Sequence, residues 1–320
     1  MTGYVIRRLI LIIPTLLLVT IIVFFSVRFI PGDIIELMVA EMSAEGTVTT
    51  EVTAETIRKA LGMDIPVHVQ YGKWLGGVLR GDLGNSLWTT RAITQELRNR
   101  LPISLELGVL AIITALLISV PIGVYSAIRQ DTGGDYLGRT FAILCISVPG
   151  FWLGTMVVVF PSIWLNWSPP LDYFPLVENP VENIKQFIIP SILMGMIMSG
   201  TTMRMTRTMM LEVLRQDYVR TAWSKGLKER VIVMRHAMKN ALIPVITIAA
   251  GMLPVLIGGT VIFEQIFALP GIGRFFIEAL NKRDYPIISG INVVLASFIL
   301  LLNLAVDMTY AWLDPRVRYR

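Results

Sequence analysis

Six long stretches of the sequence contain no charged residue, and they limit what the chain can fold into more than any other feature. A helix needs about 20 apolar residues to cross the hydrocarbon core of a membrane. The uncharged stretches are Leu9–Val27, Leu107–Ile128, Thr140–Leu171, Gln186–Met203, Asn240–Phe263 and Tyr285–Val306. They predict an all-α integral membrane protein with six transmembrane helices.

The composition agrees with this class and gives no support to catalysis or to nucleic-acid binding. Only 16% of the residues are charged, whereas soluble domains have about a quarter. The single Cys145 and the distant His68 and His236 provide neither a disulfide framework nor a metal cluster. No phosphate-loop, HExxH or GxSxG motif occurs. We therefore predict that the chain is not an enzyme and binds no cofactor or metal itself.

Lysine and arginine residues set the expected orientation, because they favour the cytoplasmic side of a membrane. This bias also accounts for the net charge of +5 without nucleic acid. The first stretch lacks a signal-peptidase cleavage pattern, so we interpret it as an uncleaved span with Arg28 reaching the lipid head groups. Both termini are then cytoplasmic. The basic segments are Arg7–Arg8, 129–139, 204–240 and 314–320, and the segments without a basic excess are 172–185 and 264–284.

This topology predicts four parts of the chain. Residues 1–30 form a peripheral first transmembrane helix, and residues 31–102 form an extracytoplasmic cap. A five-helix core at 103–313 contains a cytoplasmic loop at 204–240 and an external loop at 264–285. The last part is a cytoplasmic tail at 314–320.

The loop at 204–240 has a composition that favours ordered structure. It contains nine Lys or Arg residues against three acidic residues, no proline and a single glycine, Gly226. Good helix formers on both sides of that glycine predict a helix, a turn and a second helix. Its apolar residues need burial, which indicates that the loop docks on a cytoplasmic partner. They are Leu227, Val231, Ile232, Val233 and Met234.

Several motifs, in the same order over nearly the whole chain, resemble those of one family. They are RRLILIIPTLLLVTIIVFFSVRFIPGD (7–33), QYGKWLGGVLRGDLGNSLWT (70–89), RLPISLELGVLA (100–111), SVPGFWLG (147–154), EVLRQDYVRTAWSKG (212–226), RHAMKNALIP (235–244), FALPGIGRFFIEALNKRDYPIISG (267–290) and DPRVRY (314–319). These motifs are similar to those of the dipeptide/oligopeptide/nickel permeases of ATP-binding-cassette (ABC) importers. The chain resembles the permease that has the long first external loop.

The resemblance implies the type I ABC importer permease fold and a set of partners. These are a second homologous permease subunit, two ATP-binding-cassette ATPase subunits, an extracytoplasmic substrate-binding protein and membrane lipid. ATP and Mg²⁺ then bind to the ATPase subunits rather than to this chain. The expected location is the cytoplasmic membrane of a bacterium or archaeon. Short peptides are the expected substrate, with nickel chelates or oligosaccharides as alternatives.

The resemblance also implies where the ATPase docks. The family's coupling signature corresponds to Arg220, Thr221, Ala222 and Gly226, although Arg220 and Thr221 replace the Glu and Ala of the general pattern. A short helix over about 227–234 is expected to insert into a cleft of the ATPase. The expected coupling residues are Arg220, Thr221, Ala222, Gly226, Leu227, Lys228, Glu229, Val231 and Ile232.

A second group of residues consists of candidates for the pathway or its gate. Asn303 lies deepest in a span, where it either lines the pathway or bonds a neighbouring helix. Glu264 lies at the end of its stretch, where water or head groups are expected to solvate it. Pro270 and Gly271 belong to a broken external segment that either simply connects two spans or reaches the pore mouth.

Two other classes of function remain as alternatives. An ion-coupled secondary transporter needs ionisable groups at the membrane midplane or an inverted repeat. A membrane-embedded enzyme needs a catalytic dyad or a metal cluster. The sequence shows neither set of features, so both alternatives are less favoured than the importer permease.

Overall fold

A computed structural model describes residues 2–28, 35–36, 38–40, 55–56, 58–59, 63–252 and 255–313. In these ranges the ordered elements are helices, and the one β-type pairing is an isolated bridge between Asn85 and Ala92. The tail 314–320 and much of the expected cap lie outside the described residues. The helices are α1 (Thr2–Arg28), α2 (Val67–Val78), α3 (Ile93–Ile128), α4 (Gly133–Ser147), α5 (Gly150–Leu165), α6 (Pro180–Leu214), α7 (Asp217–Ser224), α8 (Glu229–Val231), the π-helical segment π1 (Ile232–Ala237), α9 (Met238–Gly251), α10 (Val255–Ile266), α11 (Ile272–Asn281) and α12 (Tyr285–Leu313).

The all-α membrane fold is confirmed by helices that are long and apolar enough to span a bilayer. Among the described residues there are five such helices, or six if α4 and α5 together form one span. The third uncharged stretch is not one straight helix, because the chain bends by 92° between α4 and α5. Pro149 lies at this bend and is incompatible with a continuous helix.

The chain separates into two compact units. The first comprises the described parts of 1–102 and 274–320, and the second comprises 103–273. In the first unit α1 packs along α12. The segment before α3 is bonded to the start of α12, where the buried Asp284 accepts a hydrogen bond from Ser86 Oγ at 2.6 Å and one from the Leu87 amide at 3.2 Å.

The long helix α6 lies at the centre of the second unit. It packs against α4 and α9, and it also contacts α5. Gly200 permits a close approach, because a Cβ there would lie 2.7 Å from the Ala142 carbonyl oxygen of α4. Small residues at such contacts let membrane helices approach closely. A core cluster that includes Leu107, Phe187 and Phe267 fills the space among α3, α6 and the end of α10.

Candidate coupling site in the basic loop

The loop at 204–240 forms a helix, a turn and a second helix, as the sequence predicts. Helix α6 extends past its apolar stretch to Leu214, and the short α7 follows. The second helix differs from the expectation, because it begins at Glu229 and continues through π1 into α9. The expected short helix over 227–234 is therefore the first part of a helix that is long and apolar enough to span the membrane, Glu229–Ala249.

Gly226 makes the turn between the two helices. Its φ is +73°, a left-handed conformation that glycine adopts without strain. The Gly226 amide donates to the Trp223 carbonyl at 2.9 Å, and the Leu227 amide donates to the Ala222 carbonyl at 3.4 Å. This pair of bonds is a Schellman motif, which satisfies the last carbonyls of α7. The glycine that the sequence singles out thus fixes the direction in which the chain leaves α7.

The loop has a small hydrophobic core of its own. Val219 and Ala222, three residues apart on one face of α7, are buried together with Ile232. Val213 and Leu214 at the end of α6 pack against them. Two residues expected to contact a partner, Ala222 and Ile232, therefore lie inside the loop, where they hold its shape.

The second helix of the loop is also attached to the spans. Val233, Ala237 and Ala241 are buried against Met210 of α6 and against Val124 and Ala127 of α3. Tyr218 adds a polar link, because its hydroxyl accepts a hydrogen bond from Asn240 Nδ2 at 2.8 Å and donates to the His236 carbonyl at 3.5 Å. The loop is therefore packed directly against α3 and α6 and continues into α9.

Four apolar side chains of the loop remain exposed. Met234 is 54% exposed and Trp223 is 48% exposed, and Leu227 and Val231 are exposed as well. We call these four residues the docking face. Trp223 is not among the residues predicted to contact a partner, although a tryptophan within a basic segment is a signal for a binding surface. Arg220, Thr221 and Lys228 are exposed beside the docking face, and Glu229 is half-buried.

Two ion pairs attach the turn after α3 and the start of α4 to this region. Arg129 Nη2 lies 3.6 Å from Glu229 Oε2 on the surface. The stronger pair joins Arg207 of α6 to the buried Asp135 of α4, with two parallel contacts of 2.8 and 2.7 Å. The Asp131 amide also donates to Asp135 at 3.0 Å. The Asp135–Arg207 pair was not predicted, because the two residues are 72 positions apart in the sequence.

The candidate gate residues Glu264, Pro270 and Gly271 lie together at the end of α10. The expectation that Glu264 is solvated is wrong, because its side chain is 0% exposed. Ser104 Oγ donates to Glu264 Oε1 at 2.6 Å and accepts a hydrogen bond from the Ile272 amide at 2.9 Å. Gly271 lies so close that any side chain there would overlap the carboxyl group. Pro270, beside it, is half-buried.

The remaining candidate, Asn303, lies elsewhere. It is exposed on α12 and lines a cavity of about 230 Å³ together with Leu11, Thr15 and Leu304 of α1 and α12. It is therefore not part of the group around Glu264. Within the described ranges, no cluster of three or more His, Cys, Asp or Glu side chains could hold a metal ion.

Matches to known protein families cover nearly the whole chain. Residues 119–319 match the family described as binding-protein-dependent transport system inner membrane component. Residues 1–108 match the N-terminal region of such membrane components. These two matches together include every part of the candidate coupling site.

Full-length relatives carry names from peptide transport. A protein of Brucella abortus (strain 2308), provisionally named a peptide transport system permease protein, is 37% identical over 319 residues that cover 100% of both chains. The dipeptide transport system permease protein DppB of Alkalihalophilus pseudofirmus is 37% identical over 341 residues. DppB of Escherichia coli (strain K12) is 35% identical over 343 residues, and both alignments cover 100% of each chain.

Proposed function

The chain belongs to the family of binding-protein-dependent transport system inner membrane components, and we propose that it imports di- or oligopeptides by coupling an ATPase to alternating access. It is a membrane permease subunit of an ABC importer, a transporter rather than a catalytic enzyme. It is a multi-pass protein of the cytoplasmic membrane.

The observation that carries the coupling proposal is the docking face. The loop completes its own core with Val219, Ala222 and Ile232, yet it leaves Trp223, Leu227, Val231 and Met234 exposed. Apolar side chains on a rigid, basic surface fit a protein partner that covers them. We assign this partner as an ATP-binding-cassette ATPase subunit, with one copy beneath this chain and one beneath a second homologous permease. ATP and Mg²⁺ bind to the ATPase subunits.

The coupling step follows from how the loop is attached. Closure of the ATPase pair moves the docking face, and the start of α8 moves with it. Because α8, π1 and α9 form one continuous helix, the displacement reaches the membrane without a flexible joint. The contacts of Val233 and Ala237 with Met210 and Val124 carry it to α6 and α3. The spans then change between two packed arrangements, which open the path to one side at a time.

We propose peptides as the substrate because the full-length relatives are named for peptide or dipeptide transport. An extracytoplasmic binding protein delivers them. The alternative within the same importer type is a substrate of nickel chelates or oligosaccharides instead of peptides. The turn around Glu264, Pro270 and Gly271 is proposed as a rigid part of the gate, and Asn303 as a residue of the pathway. An ion-coupled secondary transporter remains the alternative from another class.

The experiment is to measure ATP hydrolysis by the assembled complex in lipid vesicles. The chain is coexpressed with its partner permease and ATPase subunits, and the binding protein is added with and without peptide. We expect peptide-loaded binding protein to stimulate hydrolysis, and Gly226→Pro to remove the stimulation. ATP hydrolysis that the binding protein stimulates equally with and without peptide would refute peptides as the substrate. Failure to associate with any ATPase, or uptake that resists vanadate and collapses with a protonophore, would refute the importer mechanism.

A further inference from the structure

A cavity of about 270 Å³ lies at the end of the first transmembrane helix, wholly within the unit that contains α1 and α12. Its polar lining comes from three segments of the chain. These groups are the side chains of Arg28, Gln70, Lys73, Trp74, Tyr285 and Ser289. Phe24 and Leu87 contribute to the apolar part of the wall. Neither the coupling site nor the turn around Glu264 includes any of these residues.

The cavity is positively charged. Arg28 and Lys73 bring two cationic groups, and no acidic side chain is among the described residues that line it. Arg28 is held by neutral partners: it donates to the Phe24 carbonyl at 2.9 Å and to Gln70 Oε1 at 2.6 Å. Its guanidinium carbon also lies 3.6 Å from the centre of the Phe24 ring. These contacts fix the position of Arg28 without neutralising its charge, which leaves a preformed site for an anion.

The surroundings place the cavity at the boundary between lipid and water. The apolar window of α1 ends at Arg28, and the preceding turns expose Leu18, Ile21 and Ile22. Phe24, Phe25, Tyr71 and Trp74 form an aromatic cluster beside the cavity. Aromatic side chains of this kind concentrate where a membrane protein meets the head groups. An anion at this depth is therefore available from the lipid itself.

We propose that this cavity binds the phosphodiester group of an anionic phospholipid, with the acyl chains along the exposed face of α1. Arg28 and Lys73 provide charged donors to the phosphate oxygens. A lipid with net negative charge is preferred, because the described wall offers no carboxylate to a choline or ethanolamine cation. Arg28 is expected to reach into the head-group layer. In this proposal the head group instead enters a defined cavity of the protein and contacts Arg28 there. This inference does not depend on the coupling mechanism.

Trp74 provides an independent way to test the site. Its indole nitrogen is buried and has no hydrogen-bond partner among the described residues. An unpaired buried donor is unfavourable, and a lipid oxygen would satisfy it after a small side-chain adjustment. Phenylalanine at this position keeps an aromatic ring and removes the donor. Trp74→Phe should therefore weaken the stabilisation by the anionic lipid, measured relative to the variant's own lipid-free melting temperature so that lost ring packing is counted separately.

The test uses the complete permease–ATPase complex, purified in detergent and depleted of lipid. Its thermal stability is measured during titration with phosphatidylglycerol, with phosphatidylcholine of the same acyl chains, and with inorganic phosphate. Retained lipid is measured in parallel by native mass spectrometry. The variants are Lys73→Gln and Trp74→Phe, with Arg80→Gln as the matched control, since Arg80 is exposed in the same unit and lies outside the cavity lining.

We expect phosphatidylglycerol to stabilise the complex more than phosphatidylcholine does. Loss of one charged donor should lower the apparent affinity for phosphatidylglycerol by about tenfold in Lys73→Gln, and Arg80→Gln should match the wild type. Equal responses to both lipids, or unchanged affinity in Lys73→Gln and Trp74→Phe, would overturn the proposal. Saturation by inorganic phosphate alone would show a general anion site and would overturn the assignment to lipid.

Discussion

Two segments of the second unit reverse the chain between helices, and they differ in how much of their apolar surface is exposed. The loop at 204–240 buries a small core and leaves the docking face in solvent. The turn at 264–273 buries Phe267, Leu269 and even the carboxyl group of Glu264. Both turns contain a residue with positive φ, Gly226 in the first and Ala268 in the second. The difference fits the proposal that a partner covers the first segment, whereas the second segment buries its own apolar residues.

The largest expected effect is on the geometry of the first segment. Proline fixes φ near −65°, whereas Gly226 has φ of +73° and donates a hydrogen bond to Trp223. Gly226→Pro should therefore abolish copurification with the ATPase subunits. Gly226→Ala is the matched control: the site has room for a Cβ, and the left-handed conformation costs about 1–2 kcal/mol. Wild-type copurification of the proline variant would show that the turn does not position the docking face.

The next prediction separates the buried and exposed sides of the same loop. Ile232→Ala should lower the free energy of unfolding by about 2–5 kcal/mol, because its side chain is fully buried. Leu227→Asp should leave the melting temperature nearly unchanged and reduce copurification with the ATPase. Both quantities are measured on the purified permease pair with and without ATPase. A stability loss in Leu227→Asp equal to that in Ile232→Ala would remove the distinction between core and docking face.

Substitutions in the second segment should lower stability without lowering association with the ATPase. Gly271→Ala places a methyl group against the Glu264 carboxyl group, and overpacking of this kind costs about 1–3 kcal/mol. The double variant Gly271→Ala/Glu264→Ala should recover part of that loss, since the two residues share one space. Copurification with the ATPase should be normal in both variants. Additive losses in thermal stability would show that the contact is not as close as described.

The smallest effect is expected at the surface ion pair that joins the turn after α3 to α8. Arg129 is exposed and Glu229 is half-buried, and their charged atoms lie 3.6 Å apart at the surface, so Arg129→Glu should cost about 1 kcal/mol or less in thermal stability. The exchange Arg129→Glu/Glu229→Arg should restore the wild-type value. A loss of several kcal/mol would mean that this pair holds the loop in place, a role here assigned to apolar packing.

Much of this organisation could be predicted from the sequence, where local chemistry determines the structure. Uncharged stretches mark the spans because charge is costly in lipid, and Gly226 marks the helix end because few other residues adopt positive φ. Pro149 is a local signal for the bend, because proline is incompatible with a continuous helix. The bend was not predicted, because the charge pattern alone marks the third stretch as one uninterrupted span. Local patterns thus identify helices, turns and the family motifs.

Contacts between distant residues could not be predicted in the same way. Nothing near Glu264 indicates that Ser104, 160 positions away, bonds to it, and position at the end of an apolar stretch suggested solvation instead. The Asp135–Arg207 pair was missed for the same reason. The sequence also could not divide the apolar residues of the loop, because Ile232 and Val233 face the core while the neighbouring Val231 and Met234 do not. This division depends on how the helix packs against α3, α6 and α7.

The most direct test of the account is site-specific cross-linking from the docking face to the ATPase. The single native thiol is removed by Cys145→Ala, and Met234→Cys supplies a reactive position that is 54% exposed. Val177→Cys is the control, since Val177 is 94% exposed in a loop expected on the opposite side of the membrane. With a maleimide that carries a photoreactive benzophenone, which attaches to the thiol and on irradiation inserts into nearby C–H bonds, we predict a cross-link from Met234→Cys to an ATPase subunit, with a yield that changes when vanadate traps ADP in the ATPase. Cross-linking from Val177→Cys alone, or no ATPase adduct from Met234→Cys, would contradict the assignment of the docking face.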